Sequence, residues 1–158
     1  MGMTYSSATS MTVTNLNSLA SSATAGWQSA VVDNTSNLYF DAIVQVKVDM
    51  ANTAPANDKC LYVLAYGGAE SGVYGNPASG SEGSLTITNI TNTGQNLRVL
   101  GVMPYTTADE VIESSPMSVA GAFGGILPPY WGVAIINYSG AAIAATGNTV
   151  KWVGVTFA

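Results

Sequence analysis

The stretch Tyr39–Met50, YFDAIVQVKVDM, decides the fold. Phe40, Ala42, Val44, Val46 and Val48 fall on one face at period two, and Tyr39, Asp41, Ile43, Gln45, Lys47 and Asp49 fall on the other. Successive side chains of a strand point to opposite faces, so this pattern predicts a β-strand with one dry face and one wetter face. At about 3.3 Å per residue it reaches roughly 40 Å, longer than the usual strand. A strand of that reach can serve two sheets or extend beyond its own subunit.

Working outward, Trp27–Asp33, WQSAVVD, reads as the first core strand, and Asp33–Asn37 as a turn of side chains that mimic backbone. After a loop at 51–59, Cys60–Tyr66, CLYVLAY, is apolar on both faces, as expected of a central strand. Gly67–Gly83 carries six glycines and Pro77 and is predicted to be a long exposed loop, with Tyr74 as its exposed aromatic. Ser84–Ile90 alternates, Leu97–Met103 is the next strand, and Asp109–Glu113 is an acidic connector. Met117–Ala122 resumes extended structure. Pro128-Pro129 removes two donors and must precede the ladder or sit at an edge, so Tyr130–Tyr138 begins a buried strand. Val150–Phe157 is the last.

About eight strands, no convincing helix and no internal repeat predict an all-β fold, a two-sheet antiparallel sandwich. Unequal connections favour a jelly roll over a regular meander barrel. The expected core includes Phe40, Val44, Val46, Leu64, Ile135 and Trp152. Residues 1–25 form an N-terminal arm, expected to be extended, and 26–158 a single sandwich domain. The arm is Ser/Thr-rich but keeps Met3, Tyr5, Met11, Val13, Leu16 and Leu19, more apolar content than a solubilising tail needs. These six residues and Tyr74 are the candidate partner-binding residues. Either the arm docks on a partner surface or a neighbouring subunit, or it completes its own sheet as an edge strand.

The composition bounds the function. The 158 residues are 47% hydrophobic but only 8% charged, where an ordinary soluble domain is about 25% charged. Such a surface fits a monomer with a neutral polar exterior or, the favoured reading, a subunit covered by copies of itself or by a partner. Net charge is −5, and Lys47, Lys59, Arg98 and Lys151 stand singly. Nucleic acid, which demands clustered cations, is not an expected partner. No apolar run approaches the roughly 20 residues of a membrane span, and no basic segment marks a membrane surface. The first residues, MGMTYSSATSMTVTN, show neither the basic nor the apolar region of a signal peptide. The match of Met1-Gly2 and Ser6 to a myristoylation pattern is read as chance. The triplets headed by Asn34, Asn89 and Asn137 are read as products of the Thr/Asn-rich composition. Cys60 is single, which excludes an internal disulfide, and reads as a buried small hydrophobe rather than a reactive thiol.

Chemistry has few residues to work with. No histidine is present, which removes the commonest general base and the usual hydrolase triads. One cysteine cannot build a thiolate metal cage. No phosphate-cradling or nucleophile-elbow motif is found. Asp109, Glu110 and Glu113 read as a solvated loop, with a calcium site as the alternative. Tyr62, Tyr66, Tyr130, Trp131, Tyr138 and Trp152 read as packing residues, with a sugar-stacking platform as the alternative. The expectation is a protein that is not an enzyme and holds no cofactor or metal.

The combination SNLYFDAIVQVKV, LYVLAYGG, SGSEGSLT, GGILPPYWGVAIINYSG and GNTVKWVGV resembles jelly-roll capsid decoration (cement) proteins of tailed bacteriophages over about residues 27–158. The resemblance implies a virion structural protein on the capsid exterior, present in the host cytoplasm during assembly. It also implies the major capsid protein as partner and self-association, most often as a trimer. A carbohydrate- or receptor-binding module of a phage fibre or tail is the runner-up, and a hydrolase comes third.

Overall fold

The computed structural model describes residues 2–75, 77–88 and 97–157. Along the chain run β1 (Met3–Tyr5), β2 (Thr9–Ser10), β3 (Ala25–Gln28), β4 (Val32–Asp33), β5 (Asp41–Asp49), β6 (Cys60–Gly68), β7 (Gly83–Thr86), β8 (Leu97–Pro104), β9 (Val111–Glu113), β10 (Met117–Ser118), α1 (Val119–Ala122), β11 (Tyr130–Tyr138) and β12 (Thr149–Phe157). Two antiparallel sheets pack face to face as a β-sandwich. The first has the order β1-β12-β5-β10, with β2 also on β12 and β9 also on β5. The second has the order β7-β3-β11-β6-β8, with β4 also on β11.

The alternation around Val44 sets the dry face. Ala42, Val44, Val46 and Val48 are fully buried, while Gln45 and Lys47 face solvent. Val44 and Val46 lie opposite Trp152 and Val150 of β12. Across the sandwich Trp27, Leu61, Val63, Trp131, Val133 and Ile135 close the same core. The long strand stays in one sheet, with β12 on one side and β9 and β10 on the other. The paired prolines stand directly before β11, and β6 is a central strand with both faces covered.

Phe40 is a correction. The strand begins at Asp41, two residues later than its pattern, and Phe40 is 59% exposed. The turn that Asn34 organises is the cause. Its amide donates to the Tyr39 carbonyl at 3.0 Å, and its Oδ1 accepts from the Tyr39 N–H at 2.9 Å. Leu38 sits in the left-handed region at φ 54°. The chain therefore turns Tyr39 inward, edge-on to Trp152, and Phe40 outward. Gly154 makes room, since a Cβ there would stand within 2.5 Å of the Tyr39 ring.

The N-terminal segment also departs from the expected arm. β1 pairs with β12 in the register Met3↔Phe157, Thr4↔Thr156, Tyr5↔Val155, and β2 pairs with Thr9 opposite Trp152. Leu16 is fully buried in the inter-sheet core, with Met11, Val13 and Leu19 packed against it. Of the two fates open to the segment, the structure shows the edge strand of its own sheet. The boundary at 25/26 falls inside β3.

Two further differences are local. Val119–Ala122 forms one helical turn where extended chain was expected. Ser118 caps it, its hydroxyl accepting from Gly121 N–H at 2.8 Å and donating to Asp41 at 2.7 Å. The acidic connector contains the short strand β9, which pairs with β5. Asn89 and Ile90, expected to end the strand from Ser84, lie outside the described residues.

Candidate functional site

The seven candidate partner-binding residues separate into three groups. Leu16 is fully buried, and Met11, Val13 and Leu19 are half-buried against the core, so these four hold the chain's own fold. Tyr74 is 5% exposed, which corrects its reading as an exposed loop aromatic. Met3 and Tyr5 are 56% and 62% exposed and remain available to a partner.

Tyr74 is buried because the glycine-rich segment folds back over the outer face of the second sheet. There it builds a second hydrophobic cluster with Leu64, Tyr66, Leu85, Ile87, Leu97, Ala134 and Ile136. Its ring meets Tyr66 at 5.8 Å between centroids. Gly80, at φ +77°, lies so close that a Cβ would overlap the Tyr74 ring. Gln28 pins the segment through two bonds to Ser79, one from its amide at 2.8 Å and one to its Oε1 at 2.9 Å.

Glu82 joins this segment to the rest of the molecule. Its carboxylate accepts from the Trp27 indole N–H at 2.8 Å, from the Asn15 backbone N–H at 2.8 Å and from the Asn15 side-chain amide at 2.7 Å. Partial burial pushes its pKa up, but the bonds from Asn15 and Trp27 outweigh that and hold it below the usual glutamate value.

The other carboxylates are engaged separately. Glu110 organises a turn by accepting from the backbone N–H groups of Thr106 and Thr107 at 3.1 and 3.2 Å, which lowers its pKa. Glu113 lies 3.7 Å from Lys47 across the β5–β9 ladder. Among the described residues no three His, Cys, Asp or Glu side chains converge as metal ligands. Cys60 is buried, as its position in an apolar strand predicts, and desolvation pushes its thiol pKa up. Asn34 and Asn137 are buried and hydrogen-bonded within the fold, and Asn89 lies outside the described residues.

The strand aromatics pack rather than present a platform. Trp131 and Tyr66 are fully buried, Trp152 is 8% exposed, and Tyr62, Tyr130 and Tyr138 are half-buried. The Trp131 ring meets Trp152 edge-to-face at 5.3 Å.

What the surface does present is an apolar patch at one end of the sandwich, which sequence reasoning found only at Met3 and Tyr5. The Tyr5 hydroxyl donates to the Met3 sulfur at 3.2 Å, and Met3 lies opposite Phe157 in the β1–β12 ladder. The Phe157 ring packs on Phe40 at 4.9 Å. Phe40 then lines an open cleft of about 620 Å³ together with Leu38, Tyr39, Ile126, Leu127 and Pro129. Leu38 and Ile126 are 69% and 76% exposed. Phe40 was legible as apolar, but the period-two pattern assigned it to the core; the Asn34 turn moves it to the surface.

No protein family, curated protein or solved structure matches the chain. No helix among the described residues is long and apolar enough to cross a membrane.

Proposed function

We propose that this chain is a non-enzymatic virion structural protein, a decoration protein that binds the outer surface of an icosahedral phage capsid through the major capsid protein and stabilises it. It works as a homo-oligomer, a trimer by the resemblance, on the capsid exterior. The observation that carries this reading is the weakly charged surface of a chain with only 8% charged residues, on which Met3, Tyr5, Leu38, Phe40, Ile126 and Phe157 form an exposed apolar patch suited to the self-association it requires. Uncovered apolar surface of this kind marks a site of macromolecular contact.

The strand order supports reading the sandwich as a jelly roll. The chain changes sheet from β5 to β6 and from β11 to β12, while β6, β8 and β11 share one sheet, and β1 pairs with β12 and β3 with β11. Two nested Greek keys give this interleaving. Tyr66, Trp131 and Trp152 are buried, which leaves the carbohydrate-binding alternative only the exposed rings of Tyr5, Phe40 and Phe157.

Co-sedimentation of the purified chain with expanded empty shells, run beside a glycan array, tests the proposal. Saturable binding to shells with no glycan signal is the expected result. Glycan binding without shell binding would overturn it in favour of a receptor-binding module.

A further inference from the structure

We infer that the apolar patch is the surface on which a second copy of this chain docks. This rests on the self-association in the function proposed above, and not on the shell.

The patch is continuous. Tyr5 touches Met3, Met3 neighbours Phe157, Phe157 stacks on Phe40, and Phe40 shares its cleft with Leu38 and Ile126. Among the described residues, the other large exposed hydrophobics are four valines, Val73, Val111 and the two on β8, Val99 and Val102. Large side chains bury about 150–250 Å² each, so six that are 52–76% exposed leave roughly 700 Å² uncovered. The largest apolar patch on a typical monomer is about 300–600 Å², and a stable interface takes about 800 Å² from each partner. The patch is thus close to one whole half of an interface.

Charge selects the occupant. None of the six residues is charged, nor is any other residue lining the cleft. The carboxylates beside the patch in sequence, Asp33 and Asp41, are held by hydrogen bonds from Thr35 and from Ser118 and Ala120 and do not line the cleft. Two copies can therefore dock across the cleft without burying a charged side chain of its lining. A lipid surface fits poorly, because apolar membrane patches are rimmed by cations that meet anionic headgroups. Lys151 and Lys47 stand about 20 Å down β12 and β5 from Phe157 and Phe40, Lys59 precedes the far end of β6, and Arg98 lies on β8 of the other sheet opposite Ala65. β1 is the outermost strand of its sheet, so the patch runs over an open edge that a second copy can approach.

The test is the oligomeric state of the full chain by light scattering at tens of micromolar, a range that reads Kd values of that order. The wild type is expected to exceed monomer mass. Ile126→Asp and Phe157→Asp are expected to weaken assembly by about tenfold or more, with the wild-type circular dichroism spectrum. Ile126 is 76% exposed, so its substitution leaves the fold intact even if Phe157→Asp does not. Val99→Asp, on β8 of the other sheet, is the control that keeps assembly. A wild type that assembles alongside unchanged patch variants would overturn this surface and leave the proposed function standing. A monomeric wild type would overturn the inference, with shell co-sedimentation then judging the function separately. Flotation of the wild type with anionic vesicles, abolished by Ile126→Asp, would overturn it in favour of a lipid surface.

Discussion

Removing the Glu82 carboxylate should unfasten the N-terminal segment, the first core strand and the glycine-rich segment together. Its three bonds differ in worth. The two from Asn15 are exposed, and water replaces the carboxylate there at little cost. The bond from Trp27 is different, because Trp27 is fully buried and its indole N–H is spent on Glu82. A hydrogen bond to a charged acceptor contributes about 1.5–3 kcal/mol, and a buried donor left unpaired costs a similar amount. Glu82→Ala should therefore destabilise by about 2 kcal/mol, which lowers the melting temperature by roughly 4–8 °C for a chain of this size. Glu82→Gln keeps one carbonyl for the indole and should lose less than half of that. Asn15→Ala should lose only a few tenths of a kcal/mol. The pH dependence follows from the lowered pKa of Glu82. A group whose folded pKa is depressed contributes stability above its unfolded value, near pH 4.5, and that contribution fades as pH falls through the folded value. Thermal unfolding by circular dichroism at neutral pH and on the acid side measures both effects. If Glu82→Ala melts with the wild type, or falls no further than Asn15→Ala, the three-way clamp is wrong.

Tyr74→Ala should cost roughly 3–5 kcal/mol, since it empties the second hydrophobic cluster; a change within 0.5 kcal/mol, about what a surface site gives, would restore the exposed reading of that loop. Deleting residues 2–7 removes β1 while leaving Leu16 and Leu19 in place, and the chain should remain folded with the spectrum of an all-β protein. Deleting 2–20 also removes the fully buried Leu16 and should leave the chain unfolded at ambient temperature by the same probe; a folded product would show that the segment is not part of the core.

Most of the fold is legible because its long strands obey simple periods. The dry face of Ala42–Val48, the two-sided burial of Cys60–Tyr66 and the start of β11 after Pro128-Pro129 all follow from local pattern. What local pattern missed depended on contacts made far along the chain. Tyr74 lies among glycines and looks exposed until the segment folds over Tyr66, a contact that Gln28 of β3 secures by bonding Ser79 of the segment. Leu16 looks like a stray aliphatic until β1 and β2 find the edge of β12, more than 130 residues away. Phe40 obeys the strand period, but one buried asparagine turns the chain ahead of it.

These misses have a common consequence for function. Of the seven residues that looked available to a partner, five proved buried or half-buried, while Phe40, which looked buried, proved exposed. The proposed partner surface accordingly moves from a free arm to a fixed patch in which β1 is only the rim. An arm that orders on binding gives up conformational entropy at that moment. A patch whose Phe40, Phe157 and Met3 are already held by the β1–β12 ladder and the Asn34 turn gives up far less, and preorganised surfaces convert more of their buried area into affinity. A patch already in place can join neighbouring copies on the proposed shell without first ordering a tether. The turn that displaces Phe40 from the core is, in that sense, the local feature on which the proposed role most depends.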